Sequence, residues 1–145
     1  MAIETTNLPH NVQTAILNFE EKKAAYMQLQ ERLGSIHQKL EKHRKSADAM
    51  QTQSEQLGIQ WRDAFRKNDG ELTKEIRAMK NGETEAREFA EEYTHLVNTL
   101  EPEFEQCQLE TAKARQDHLS ALKNLHDVYA NYQLTASAEI LFSLP

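Results

Sequence analysis

The chain has 145 residues, a net charge of −6, 39% hydrophobic and 7% aromatic residues, and a mean hydropathy of −0.77. This is length for one domain, too little apolar material for a wide globular core, and an acidic balance that argues against a general binder of phosphate backbones. Ala, Glu, Lys, Leu and Arg supply 67 residues and Gln another 12, all types that lose little side-chain freedom in a helix. Four Gly and three Pro are too few to punctuate a sheet of short strands.

A heptad register runs from residue 12 to residue 64. Its a positions are Val12, Phe19, Tyr26, Leu33, Leu40, Ala47, Ser54 and Trp61, and its d positions are Ala15, Lys22, Leu29, Ile36, His43, Met50, Leu57 and Ala64. Thirteen of these sixteen are apolar, which predicts a first helical arm over residues 10–67. Pro9 suits the first helical turn, where a missing N–H costs nothing.

Asn68, Asp69 and Gly70 break the pattern. Gly70 accepts the positive φ that ends a helix, and Asn68 with Glu71 reads as a capping box for the next one. The second arm, over residues 71–133, carries Leu72, Ile76, Met79, Glu83, Ala86, Ala90, Tyr93, Val97 and Leu100 on one face, with only Glu83 spoiling the stripe. The same phase continues through Phe104, Cys107, Thr111, Ala114, His118, Ala121, Leu125, Val128 and Tyr132. Asn81-Gly82 and Pro102 predict kinks or short breaks, and Pro102 either bends this arm or opens a separate third helix.

Two arms of similar length joined by a short turn predict an all-α fold, a long antiparallel helical hairpin or coiled coil with a first arm of about 85 Å. Folding at the turn lays the basic stretch Lys39, Lys42, Arg44 and Lys45 near residues 93–99, beside an acidic run of Glu residues from Glu83 to Glu105. Such exposed pairs select register more than stability. Ile16, Leu17, Ile59 and Phe65 fall off the stripe and need another surface, and the tail at 134–145 has Ile140, Leu141, Phe142 and Leu144 to place. Either the tail folds back or a second subunit covers it, so a homo-oligomer is expected.

Little of the chain suggests catalysis. Glu92 and His95 match a Glu-x-x-His element of di-iron bundles, but no second copy exists, and the other histidines lack the i, i+4 spacing of metal ligands. Cys107 is the only cysteine, which fits a reducing compartment. Its neighbours Glu103, Glu105 and Glu110 oppose a thiolate nucleophile. No Gly-rich phosphate loop or nucleophile elbow is present. The expectation is a protein that is not an enzyme and uses no cofactor or metal. With no secretory start and no long apolar run, it is also expected to be cytoplasmic and not membrane-bound.

The segment that draws attention is the hairpin tip. Trp61, Arg62, Phe65, Arg66 and Lys67 lead into Lys74, Arg77 and Lys80, against Asp63, Asp69, Glu71 and Glu75. Aromatic and Arg side chains are the usual anchors of binding hot spots, so Trp61, Arg62, Phe65, Arg66, Lys67, Lys74 and Arg77 are the candidate partner-binding residues. The alternative is that Trp61 caps the hairpin core and the basic residues only solvate the turn.

The opening Gln13-Thr14-Ala15-Ile16-Leu17-Asn18-Phe19 and the block from 61 to 93, with Phe65-Arg66-Lys67-Asn68-Asp69-Gly70-Glu71 and Glu85-Ala86-Arg87 inside it, resemble small helical proteins of enterobacterial phage satellites such as the phage-inducible chromosomal islands. Within that group the redirecting-phage-packaging family is the nearest. The resemblance implies a bacterial host cell and a satellite protein that binds the helper phage's small terminase subunit and shifts DNA packaging towards the satellite. Two other readings stand beside it, a coiled-coil scaffold or capsid-size factor and a DNA-binding accessory. The acidic balance disfavours the last unless a complex presents the basic tip to DNA.

Overall fold

The structure, a computed structural model, describes residues 7–143. Helix α1 spans His10–Lys67 and helix α2 spans Lys74–Ser143, packed as an all-α hairpin with no strand among the described residues. The heptad reading of α1 matches its burial, since none of its sixteen a and d residues is exposed. On α2 the same holds for every stripe residue except Leu72, which lies in the turn ahead of the helix and is exposed.

Local chemistry sets the helix ends. The Pro9 carbonyl accepts the Gln13 N–H at 3.0 Å, so Pro9 stands just before the first helical residue. At the other end Gly70 N–H reaches the Phe65 carbonyl at 2.9 Å and Asp69 N–H the Arg66 carbonyl at 3.2 Å. This paired closure leaves the last helical carbonyls satisfied and needs a left-handed residue at its centre. Asp69 takes that position with φ 55°, and Gly70 follows at 80°, so Asp69 shares the role expected of Gly70 alone.

The start of α2 corrects the expected capping box. Thr73, not Asn68, caps the helix. Its Oγ1 accepts the Ile76 N–H at 3.2 Å and its carbonyl the Arg77 N–H at 3.1 Å, while Asn68 accepts the Glu71 N–H within the turn. The turn is therefore longer than residues 68–70. Two further expectations change. Neither Asn81-Gly82 nor Pro102 breaks helix α2, so Pro102 opens no third helix among the described residues, and α2 continues past residue 133 to Ser143. The tail is thus helical and does not fold back, although Leu144 lies outside the described residues.

Contacts divide the chain into two compact units. One joins Met1–Leu33 to Gln106–Pro145. Within it His118 sits against both Phe19, at 5.2 Å and 28°, and Tyr26, at 5.8 Å and 12°. Phe19 and Tyr26 are successive a positions, so their rings bracket the residue that enters from α2. Nearby, the Leu29 carbonyl receives the Thr111 hydroxyl at 3.5 Å, and Cys107 Sγ lies 3.9 Å from the same oxygen. Val12, Ala15, Ile16 and Ala121 are buried. Ile16 therefore finds cover inside the unit despite lying off the stripe, whereas Leu17 stays exposed.

The other unit is Gly34–Glu105. Ile36, Leu40, Ile76, Ala86, Ala90 and Val97 are buried along its seam. His37 meets Phe104 at 5.8 Å and His43 meets Tyr93 at 6.1 Å. Arg44 pairs with Glu41 and, across the seam, with Glu101, both at 3.1 Å. These hydrogen bonds, to Glu101 first and Glu41 second, hold its guanidinium above the ordinary range. The cross-seam pair meets the expected complementarity of a basic α1 stretch and an acidic α2 run. Ile59, also off the stripe, remains exposed.

Candidate functional site at the hairpin tip

The tip is organised around the residue that spoiled the apolar stripe. Glu83 is buried on the seam of α2, its side chain only 11% exposed, and it faces the last turns of α1. A carboxylate removed from water needs partners on both oxygens. One oxygen accepts the Trp61 indole N–H. The other meets Arg62 Nη2 at 3.4 Å and Arg87 Nη1 at 3.8 Å. An indole N–H has no use as an acceptor and tolerates an apolar setting, so Trp61 serves both as seam filler and as donor.

Two glycines make room for this cluster. A Cβ on Gly58 would stand 3.2 Å from the Glu83 carboxyl carbon and 3.0 Å from Arg62 Nη1. A Cβ on Gly82 would stand 3.1 Å from Leu57 Cδ1. Gly82 thus allows close helix approach where the sequence alone suggested a break.

Around the half-buried Trp61, Arg62 lies 5.2 Å and Lys80 5.4 Å from the ring centroid, within the reach of cation–π attraction. Phe65 meets Trp61 edge-on at 6.4 Å, and its Cζ lies 3.7 Å from where a Cβ on Gly70 would be. Phe65 is therefore half-buried and part of the tip's packing. The surface that this off-stripe ring needs is thus supplied in part within the tip itself.

The candidate residues separate into two sets. Trp61, Arg62 and Phe65 are brought together with Glu83, Arg87 and Lys80, and hold one another. Arg66, Lys67, Lys74 and Arg77 are exposed. Lys67 pairs with Asp63 at 3.1 Å, while Arg66, Lys74 and Arg77 form no ion pair with a described residue. Sequence reasoning missed Glu83, Arg87 and Gly58. The available signal was a lone carboxylate in an apolar stripe, level with the only Trp once the chain is folded at the turn.

Elsewhere, Glu92 and His95 are both exposed on α2. No group of three or more His, Cys, Asp or Glu among the described residues is arranged to hold a metal ion, and no described helix is long and apolar enough to cross a membrane. No protein family, curated protein or solved structure matches the chain.

Proposed function

We propose that this chain is a non-enzymatic protein-binding regulator that works through its hairpin tip and self-associates through other surfaces. In this reading its partner is the small terminase subunit of a helper phage, and the bound chain redirects DNA packaging towards a phage satellite inside the bacterial cell. The resemblance of residues 13–19 and 61–93 to satellite proteins supplies the partner. The observation that carries the surface is the union, at one turn, of a held aromatic platform with cations that have no partner of their own. Trp61 and Phe65 are fixed by Glu83 and by each other, which lowers the ordering cost of binding. Arg66, Lys74 and Arg77 are exposed in the segments that flank the same turn, and in this reading they serve as the polar rim of a hot spot.

The polar groups that converge at Glu83 are consumed in holding the tip, which supports binding over catalysis. DNA enters this reading only through the partner complex. A coiled-coil scaffold that sets capsid size is the second reading, favoured by exposed Leu109, Leu119, Leu134 and Leu141 along α2.

The test is the affinity for purified terminase small subunit, by calorimetry, of the wild type and of Arg66→Glu with Arg77→Glu. Loss of hot-spot Arg contacts predicts at least about thirtyfold weaker binding, with an unchanged melting curve because both side chains are exposed. Unaltered affinity in the double variant would remove the tip from the interface.

A further inference from the structure

We propose that the groove beside Gly58, on the flank of the seam behind the hairpin tip, is a carboxylate-binding site that takes an aspartate or glutamate side chain of the protein partner. The inference rests on the partner-binding role proposed above and adds to it a contact of defined chemistry.

The groove has a volume of about 430 Å³ and lies wholly within the unit Gly34–Glu105. Ser54, Gly58 and Arg62, on successive turns of α1, form one side, and Glu83 with Arg87, one turn apart on α2, form the other. Residues spaced four apart share a helix face. Gly58 keeps the space open. A Cβ there would stand 3.0 Å from Arg62 Nη1 and 3.2 Å from the Glu83 carboxyl carbon, so any larger residue crowds the guanidinium.

Three features of the groove point to its occupant. Arg62 and Arg87 share the single carboxylate of Glu83, which leaves one positive charge over. Both approach the same Glu83 oxygen, at 3.4 and 3.8 Å, farther than the about 2.8 Å of a close charge-assisted bond. Their side chains stay 49% and 53% exposed, so each guanidinium keeps N–H donors for a further acceptor. Glu55 also lines the groove, but it is exposed, receives the Gln51 amide at 3.1 Å and forms no ion pair with a described residue. The second feature is Ser54, which lines the groove, is only 6% exposed and has no hydrogen-bond partner for its hydroxyl among the described residues. Leaving a buried hydroxyl unmet is costly, and an entering carboxylate oxygen would accept from it. The third is Ile59, an off-stripe residue that lines the same groove and is 68% exposed. It offers apolar surface to the methylene stem of an acidic side chain, which an inorganic anion cannot use. A phosphate would also bring a second negative charge towards Glu55 and Glu83. The partner's carboxylate reaches Arg87 at its guanidinium end and leaves the amides of α2 in their helical bonds.

Heteronuclear NMR of the full chain reads the arginine Nε–H groups directly. The probe is glutamate blocked at both ends, by acetylation and amidation, so that only its side chain is charged. It should shift the Arg62 and Arg87 resonances saturably in the millimolar range, and the equally blocked glutamine should not. Gly58→Ala, which fills the groove, and Arg87→Gln should each weaken this binding at least about tenfold with helicity by circular dichroism unchanged. The same two variants should weaken capture of terminase small subunit by at least about tenfold. If the wild type seats blocked glutamate but does not bind terminase small subunit, the partner named above falls and the site stands. Terminase binding indifferent to both variants would keep that partner and overturn this site. A response to blocked glutamine equal to that of glutamate, no shift at Arg62 and Arg87, or shifts spread equally over Arg66 and Arg77 would also overturn it. Tighter binding of inorganic phosphate than of blocked glutamate would make this a phosphate site and overturn the occupant.

Discussion

Glu83 shows how a single residue can decide the arrangement of a seam. A buried carboxylate adds little net stability compared with an apolar residue, but leaving it without partners is costly. It therefore penalises any register in which Trp61 and Arg62 are not beside it. This makes a double-mutant cycle informative. Trp61→Phe keeps an aromatic filler and removes the indole N–H, so it should lower unfolding free energy by about 2 kcal/mol. Glu83→Leu alone should cost little, and Trp61→Phe placed on top of it should cost under about 1 kcal/mol, as read by urea denaturation. Equal losses in both backgrounds would mean that the hydrogen bond is not what holds Trp61. His118 gives a second residue-scale expectation. Its Nδ1 is buried with no hydrogen-bond partner among the described residues, and its ring stacks with both Phe19 and Tyr26. An apolar replacement removes that unsatisfied group, so His118→Leu should raise the melting temperature by a few degrees, corresponding to about 1 kcal/mol. A fall would show that the ring stack is worth more than the unmet bond costs.

At the scale of the helices, the heptad stripe was legible because burial along a two-helix seam follows a fixed period, and side chains from Val12 to Ala64 obey it. What was not legible depends on atoms brought together only by folding. Thr73 beats Asn68 as the cap because closure of α1 through Gly70 and Phe65 uses up the residues ahead of it. The off-stripe Ile16 is buried and the off-stripe Ile59 is not, a distinction that no one-dimensional period contains. Of the tip residues, the sequence marked the aromatic and basic side chains but not the carboxylate that joins them. Pro102 is the clearest conflict between local preference and element. Lacking an N–H, it leaves the Asn98 carbonyl without its helical partner, yet α2 passes through. Packing of Val97, Leu100 and Phe104 on the seam outweighs that loss. Pro102→Ala should therefore stabilise the protein, by up to about 3 kcal/mol, measured as a shift in the urea midpoint. No shift, or a fall, would mean that the proline's geometry is itself required for the seam.

For the molecule as a whole, the proposed function divides the surface between a tip that would meet a partner and apolar surfaces that would meet another copy. Charge is distributed accordingly. Within residues 58–80, Arg62, Arg66, Lys67, Lys74, Arg77 and Lys80 face Asp63, Asp69, Glu71 and Glu75, whereas residues 83–105 hold eight Glu against Arg87. A partner drawn to the tip is thus repelled or ignored by the acidic stretch, or the reverse, and salt should weaken whichever contact is made. Hydrogen exchange of the full chain, alone and with terminase small subunit, reads the choice directly. The account predicts added protection over residues 58–80, centred on Trp61, Phe65 and Arg66, and none over residues 83–105. Protection along the acidic stretch with an unchanged tip, or no protection anywhere at saturating partner, would contradict it.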